Sequence, residues 1–298
     1  MKQESITASA IGSRRFEKDP DLCLVYRIFG ASGAQVNCSE FSDKLSLLAK
    51  QDSLEARSAQ SDIKICADGD SWINILIEFS HALGYNKTFF DVLEERYRTS
   101  STACPGDTFE QMLQEKTFKV HIDSGINDFF IFSGGGVDVL GGGALTRLLR
   151  TKAEGGGSSD PEKYLNLDRI DAALRKLKSG YLEIAQYVKV RSPRTVMLVH
   201  GYDYPVAQAD GPWLGTPFLK RNFDIGSDRA LVDGILAYLV DRFYGMLEDV
   251  ARNISNVTVV DVRNVVKGRW TDELHPKKAA SEDIAAVYQN VMEGSPVA

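Results

Sequence analysis

The chain has 298 residues, of which 43% are hydrophobic and 26% are charged, and its 35 basic and 41 acidic side chains give a net charge of −6. This is the balance of a folded protein of one large or two small domains, and it excludes a chain that is disordered throughout. The acidic charge, with no run of Lys and Arg, argues against a nucleic-acid partner.

The sequence also lacks the marks of a membrane or secreted protein. No stretch approaches the roughly eighteen consecutive apolar residues of a transmembrane helix, and no apolar signal core follows the early basic residues. We therefore expect no membrane span and a cytoplasmic location. The four cysteines lack CxxC spacing, so reduced thiols are predicted and neither disulfides nor a metal site is expected.

The first sixty residues differ from the rest of the chain. Residues 1–20 are polar and aperiodic, which predicts a tail, and residues 22–29 are apolar. In residues 39–60, Phe41, Leu45 and Leu48 have near-helical spacing. We predict an N-terminal extension over 1–60 and a domain over 61–298. The extension could be a dimer arm, a lid or a packed layer, which leaves homo-oligomerisation open.

From residue 62 onwards, short apolar runs alternate with amphipathic stretches. Strands are predicted at 63–67, 128–132, 195–199 and 257–261, with a further strand or connection within 89–97. Helices are predicted at 72–83, from 108, at 167–189, at 227–252 and at 280–291, and residues 139–165 form a polar, Gly-rich stretch. The alternation predicts a parallel sheet covered on both faces, with ligands at the carboxyl ends of the strands.

Glycine-rich segments raise the question of a nucleotide site. Gly is never followed by Lys, which excludes a P-loop, and the segments 134–139 and 141–146 both lack the last glycine of GxGxxG. The absence of GxSxG also excludes the nucleophile elbow of α/β-hydrolases. No nucleotide cofactor is predicted.

Two motifs at opposite ends of the domain carry reactive side chains. Ser71 follows the first predicted strand and precedes a predicted helix, where a hydroxyl serves either as a nucleophile or as an ordinary helix cap. Near the other end, Asp272 and His275 stand three residues apart before the last helix. This spacing allows the carboxylate to orient the imidazole towards a serine, although a surface histidine would show the same spacing.

Four segments together resemble the sequence blocks of the GDSL-type esterases, or SGNH hydrolases. They are Gly-Asp-Ser-Trp at 69–72, Pro-Gly-Asp-Thr at 105–108, Ser-Gly-Gly-Gly-x-Asp at 133–138 and Asp-x-x-His-Pro at 272–276, in the family's order. The resemblance covers residues 61–295. It implies a three-layer α/β fold with a five-stranded parallel sheet in flavodoxin-like order, and hydrolysis of carboxylic esters through an acyl-serine without a cofactor.

The resemblance also implies roles for individual residues. Ser71 would be the nucleophile, His275 the general base and then acid, and Asp272 its orienting partner. The backbone N–H groups of Ser71 and Gly106 would bind the oxyanion. The third block departs from the family, because Val137 stands where the family has an Asn whose side-chain amide is a further donor.

The Val137 substitution leaves alternatives open. A Gly-x-Asn-Asp sequence at 125–128 is rejected as the missing block because it precedes its strand. Either another group replaces the amide, or the chain is a catalytically impaired binding protein. Candidate pocket residues are Asp70, Trp72, Gly136, His200, Tyr202 and Trp213.

The predicted substrate is a small-molecule ester with a short acyl chain. Thioesters, lysophospholipids and acetylated carbohydrates are the alternative substrates for the same site.

Overall fold

A computed structural model describes residues 61–75 and 87–294, together with three short strands in the first sixty residues. These strands, β1 (Arg15–Lys18), β2 (Tyr26–Phe29) and β3 (Gln35–Val36), pair antiparallel in that order. The predicted tail thus contains a strand, and the apolar stretch 22–29 supplies its partner. The helix predicted within 39–60 lies outside the described residues.

The main sheet has five parallel strands. They are β4 (Lys64–Gly69), β5 (Arg98–Ser101), β6 (Phe129–Ser133), β7 (Val196–Val199) and β8 (Val257–Val259). Their order is β5-β4-β6-β7-β8, and all four pairings are parallel. This is the flavodoxin-like order, so the predicted fold class is confirmed.

Helices flank this sheet. Those in the described residues are α1 (Phe89–Glu94), α2 (Phe109–Glu115), α3 (Phe118–Asp123), α4 (Gly136–Val139), α5 (Gly142–Leu148), α6 (Leu167–Arg191), α7 (Gly215–Leu219), α8 (Arg229–Asn253) and α9 (Lys278–Met292). Helix α6 packs on α8, and α1 packs on α9. None of the helices within the described ranges is long and apolar enough to cross a membrane.

Aromatic side chains fill the space between the sheet and its helices. Phe132 of β6 meets Phe109 of α2 and Tyr181 of α6 edge-on, with ring centroids 5.8 and 5.4 Å apart. Elsewhere, Phe89 of α1 stacks on Tyr288 of α9 at 4.8 Å. These rings are buried to 2% exposure or less, so burial of their large apolar area holds the helices on the sheet.

The segment 89–97, predicted as a strand or connection, instead contains helix α1. Thr88 caps the helix by accepting from the Asp91 N–H at 3.2 Å, while the Asp91 carboxylate accepts the Thr88 N–H at 2.6 Å. This capping box satisfies two backbone donors that the first helical turn leaves unpaired, and it outweighs the strand preference of two consecutive Phe residues. The edge strand β5 begins only at Arg98.

Two other predicted segments differ from the structure. Residues 72 and 73, where the predicted helix 72–83 begins, instead form a turn with Ser71 in which the N–H groups of Ile73 and Asn74 both donate to the Asp70 carbonyl. The rest of that predicted helix, residues 76–83, lies outside the described residues. The Gly-rich stretch 139–165 is also partly ordered into α5 and two short 3₁₀ turns, Ala153–Gly155 and Pro161–Tyr164.

The carboxyl ends of β4 and β6 approach each other closely at Gly69. Its φ is +148°, and a Cβ at this position would lie 2.1 Å from the Ser133 carbonyl oxygen. The next N–H, that of Asp70, donates to that same oxygen at 3.0 Å. Only glycine permits this contact, which brings the first and third motifs together.

We expect Gly69→Ala to destabilise the protein by roughly 3 kcal/mol or more, because the methyl group both strains the backbone and collides with Ser133. Gly125→Ala is the matched control, since Gly125 also has positive φ but would place its Cβ in open space. The control should cost only about 1 kcal/mol. Urea denaturation of both variants measures the difference, and equal costs would contradict the steric argument.

Candidate active site

The three residues implied as a triad lie in one hydrogen-bonded chain. The Ser71 Oγ is 2.8 Å from the His275 Nε2, and the His275 Nδ1 is 2.9 Å from the Asp272 Oδ2. With Nδ1–H donating to the carboxylate, the unprotonated Nε2 can accept the serine proton. Residues 204 positions apart in sequence are therefore placed as a nucleophile and its base require.

A tight turn holds Asp272 and His275. The second carboxylate oxygen of Asp272 accepts the N–H groups of Leu274 at 2.7 Å and His275 at 2.8 Å. The Thr271 N–H donates to the His275 carbonyl at 2.8 Å, which closes the turn. Asp272 thus fixes both the backbone and the ring of His275, and its three-residue spacing serves both contacts.

The indole of Trp72 joins the two ends of the domain. Its Nε1–H donates to the Leu274 carbonyl at 3.1 Å, and its ring is buried. The residue next to the serine therefore binds the backbone next to the histidine. This contact fixes the separation of Ser71 and His275 directly, without relying on the sheet between them.

A second serine, histidine and aspartate lie beneath the first set. The Ser133 Oγ is 2.9 Å from the Asp70 Oδ1 and 2.9 Å from the His200 Nε2. The residue types and contacts fit a triad, but here the serine lies between the aspartate and the histidine. Since the Ser133 hydroxyl donates to Asp70, His200 must donate Nε2–H to Ser133 and cannot accept its proton.

This second set is buried, and neither Ser133 nor His200 lines the cleft over Ser71. Ser133, His200 and Asp70 are each at most 2% exposed, and desolvation lowers the pKa of His200 to about 3. His200 is therefore neutral at physiological pH. These three buried residues are suited to holding the strand ends next to Ser71 in place.

Tyr202 connects this buried network to the start of helix α4. Its hydroxyl donates to the Asp70 Oδ2 at 2.5 Å and accepts the Gly136 N–H at 2.9 Å. Its backbone has φ of +69°, an uncommon conformation for a non-glycine residue. Burial raises the pKa of the Asp70 carboxyl, while hydrogen bonds from Tyr202, the Trp72 N–H and Ser133 oppose that rise.

A cleft of about 390 Å³, part of it open solvent, lies over Ser71 and His275. Its other lining residues are Asp70, Trp72, Gly136, Val137, Leu140, Tyr202, Asp203, Pro205, Trp270 and Leu274. The wall of the cleft is therefore mainly apolar and aromatic, and it includes the Ser71 hydroxyl and the His275 ring.

Four of the six predicted pocket residues line this cleft: Asp70, Trp72, Gly136 and Tyr202. His200 lies behind the wall, with its ring centroid 5.1 Å from that of Trp72. Trp213 is buried in the loop after β7, where its N–H donates to the Glu273 carboxylate. The end of β7 also indicated Asp203, which lines the cleft. Sequence reasoning did not find four lining residues, Leu140, Pro205, Trp270 and Leu274, although Trp270 and Leu274 flank the Asp-x-x-His motif.

The third motif is joined to the helix that follows the second motif. The Asp138 carboxylate accepts the Phe109 N–H at 2.9 Å and so holds the start of α2. Gly106 is buried in the turn before that helix with φ of +83°. Val137, between Gly136 and Asp138, is half-buried on α4 and presents only hydrocarbon to the cleft. The rejected Asn127-Asp128 sequence lies at the opposite edge of the sheet, where Asp128 accepts the Lys64 N–H.

Comparison with known proteins bears on the fold of the chain. No family model and no curated protein matches the sequence. Among solved structures, an extracellular lipase from Streptomyces rimosus superposes with a TM-score of 0.50 at 17% identity, covering 76% of this chain and 99% of the lipase. A phospholipase A1 from Streptomyces albidoflavus gives a TM-score of 0.49 at 14% identity, covering 77% of this chain and 99% of that enzyme.

The chain therefore has the α/β fold of the GDSL-type, or SGNH, hydrolases. The resemblance drawn from the four motifs is confirmed at the level of the fold. At this level of identity, the comparison establishes the fold and no activity.

Asp107, next to Gly106, makes a pH-dependent contribution to stability. Burial raises its pKa from 3.8 to about 8, and the nearby Glu115 and Asp68 carboxylates add to this. Below about pH 4 Asp107 is protonated in both the folded and the unfolded state. Between about pH 4 and 8 only the unfolded state ionises freely, so stability falls as pH rises through this window.

We therefore expect Asp107→Asn to gain stability over the wild type progressively from about pH 4 to about pH 8 and to hold that gain at higher pH. Melting temperatures of both proteins at pH 4, 6, 8 and 9 measure the difference. A difference independent of pH would contradict the assignment.

Proposed function

We propose that this chain is a serine hydrolase of carboxylic esters that works through an acyl-enzyme on Ser71. The observation that carries the proposal is the chain Ser71–His275–Asp272, with contacts of 2.8 and 2.9 Å, opening onto an apolar cleft. We include in the proposal the division into an extension over residues 1–60 and a hydrolase domain over 61–298.

The chemistry follows from the hydrogen bonds. His275 takes the Ser71 proton as the oxygen attacks the ester carbonyl, and Asp272 stabilises the resulting imidazolium. The imidazolium then protonates the leaving alcohol, which leaves an acyl group on Ser71. Water, deprotonated by His275, attacks this acyl group and releases the acid with the serine regenerated.

The oxyanion is assigned to the backbone N–H groups of Ser71 and Gly106. Because residues 71–73 form a turn, the donor at Ser71 acts as a turn amide, with no described helix behind it. Val137 contributes no donor at the third position. A site with two donors in place of three stabilises the tetrahedral intermediate less, so slower turnover is expected than from an intact set.

The lining of the cleft supports a neutral ester, and we include the short acyl chain expected from the sequence in the proposal. Apart from His275, none of the described lining residues is basic, and two of them, Asp70 and Asp203, carry carboxyl groups. Anionic leaving groups such as that of acyl-CoA are therefore disfavoured. Turnover of p-nitrophenyl acetate, p-nitrophenyl octanoate, acetyl-CoA, a lysophospholipid and an acetylated sugar ranks the alternatives.

A second candidate function is a binding protein with impaired catalysis, and one observation favours it. Val137 removes a side-chain donor from the position that faces the reacting carbonyl in the family. A binding protein of this kind would retain the cleft but turn over no ester. Labelling and kinetics at Ser71 separate the two functions.

Ser71→Ala is expected to abolish labelling by a fluorophosphonate probe and to lower kcat for p-nitrophenyl acetate by about 10⁴-fold or more, because the nucleophile is lost. Ser133→Ala is the matched control, since Ser133 belongs to the buried set. It should retain labelling, with Ser71 as the modified residue by peptide mass spectrometry. Labelling lost only in Ser133→Ala would move the site to the buried set, and an unlabelled wild type would refute the hydrolase.

Val137→Asn is expected to raise kcat for p-nitrophenyl acetate, by up to about 100-fold, because it restores an amide donor to the oxyanion site. Val137→Ala controls for the change in side-chain volume, since it also removes the isopropyl group but adds no donor. Steady-state kinetics on the folded variants measure both. Equal rates in the two variants would show that the oxyanion site does not include position 137.

A further inference from the structure

Glu273 stands inside the catalytic turn, between Asp272 and His275, and is 1% exposed. Its carboxylate accepts four backbone N–H groups from one loop. Gln208 and Gly215 donate to Oε1 at 2.8 Å each, and Trp213 and Leu214 donate to Oε2 at 2.8 and 2.9 Å. A buried charge is costly unless it is paired or hydrogen-bonded, and here four backbone dipoles replace the lost water.

The loop is shaped around this carboxylate. A Cβ at Gly211 would lie 1.9 Å from the Glu273 Cδ, and a Cβ at Gly215 would lie 1.8 Å from the Gln208 carbonyl oxygen. The backbone therefore wraps the carboxylate at a distance that only glycine allows. The loop 208–215 and the Glu273 side chain are therefore packed and hydrogen-bonded together.

The same loop begins at the wall of the cleft. Pro205 and Asp203 both line it, and the Asp203 carboxylate is itself fixed by the N–H groups of Tyr204, Asn264 and Val266 at 2.6, 2.7 and 2.6 Å. Asp203 thus ties one end of the loop to the segment after β8. Glu273 ties the other end to the turn that carries the general base.

We propose that Glu273 is a positioning residue that holds the loop 203–215 and the turn 270–276 as one rigid body, and so keeps His275 in line with Ser71. The proposal rests on the proposed function of that turn. Glu273 touches no reacting atom. Its effect passes through the backbone it shares with Asp272 and Leu274, whose carbonyl also accepts the Trp72 indole.

Glu273→Gln is the variant that tests this role. A glutamine has nearly the same shape, but its single carbonyl oxygen can accept only about two of the four N–H groups. Its amide hydrogens would then point at the two remaining donors. The loop should loosen without the removal of side-chain volume.

We expect Glu273→Gln to lower kcat for p-nitrophenyl acetate by about 10–100-fold with KM changed less than about threefold, because the base is misaligned while the apolar wall remains. Asn166→Ala is the control for lost stability. It removes the cap of α6 and should lower the melting temperature but leave kcat unchanged. A kcat at the wild-type value, or a rise in KM alone, would overturn the positioning role.

Amide hydrogen exchange tests the coupling independently of activity. In the wild type, peptides covering 208–215 and 270–276 should open with the same free energy, and Glu273→Gln should speed exchange in both. Different opening free energies in the wild type, or faster exchange in the loop alone, would overturn the coupling. If the wild type turned over no ester, the proposed function would fail while this measurement still decided the coupling.

Discussion

The site depends on one buried carboxylate, that of Asp70. It accepts hydrogen bonds from the Ser133 hydroxyl, the Tyr202 hydroxyl and the Trp72 N–H at 2.9, 2.5 and 3.1 Å. Trp72 follows β4, Ser133 ends β6 and Tyr202 follows β7. One carboxylate therefore binds three of the segments at the carboxyl ends of the strands near Ser71. Desolvation raises the pKa of Asp70 by more than these hydrogen bonds lower it, so its pKa lies above the ordinary value.

Two further buried carboxylates near the cleft also accept several hydrogen bonds from the surrounding loops. Asp203 and Glu273 are buried, and their described partners are backbone N–H groups. A backbone donor has little freedom to leave its acceptor, whereas a lysine or arginine partner would bring a long flexible chain and a positive charge. Loops held in this way form a cleft wall that is fixed before substrate arrives, and this lowers the cost of aligning the reacting groups.

The sequence was informative where a local pattern determines the outcome. The strands β4, β6, β7 and β8 follow from short apolar runs, as expected for strands covered on both faces of a sheet. The long helices α6, α8 and α9 follow from apolar residues that recur at helical spacing. Ser71, Asp272 and His275 were predicted because their motifs fall at strand and helix ends. Helix α1 was not predicted, because its start is set by a capping pair and its length of six residues is too short for a period to show.

The contacts that sequence could not predict are those whose partners are backbone atoms. Nothing in the letters Asp-Glu-Leu-His distinguishes a surface glutamate from Glu273, because its four donors are amides that any residue type supplies. The Ser133–His200 contact is equally hidden, since neither the motif that contains Ser133 nor the sequence around His200 indicates that these two side chains meet. Only the glycines, at 211 and 215, gave a local sign that the chain must approach something closely.

The structure also bears on Val137. A binding protein with impaired catalysis would not require a nucleophile aligned with its base, yet Ser71, His275 and Asp272 form contacts of 2.8 and 2.9 Å. The other oxygen of the Asp272 carboxylate accepts two N–H groups of the turn, and the Trp72 indole donates to the Leu274 carbonyl of the same turn. A binding cleft needs none of these alignments. The arrangement therefore supports the proposed hydrolase over the proposed binding protein, with backbone donors as the proposed oxyanion site and Val137 as part of the apolar wall.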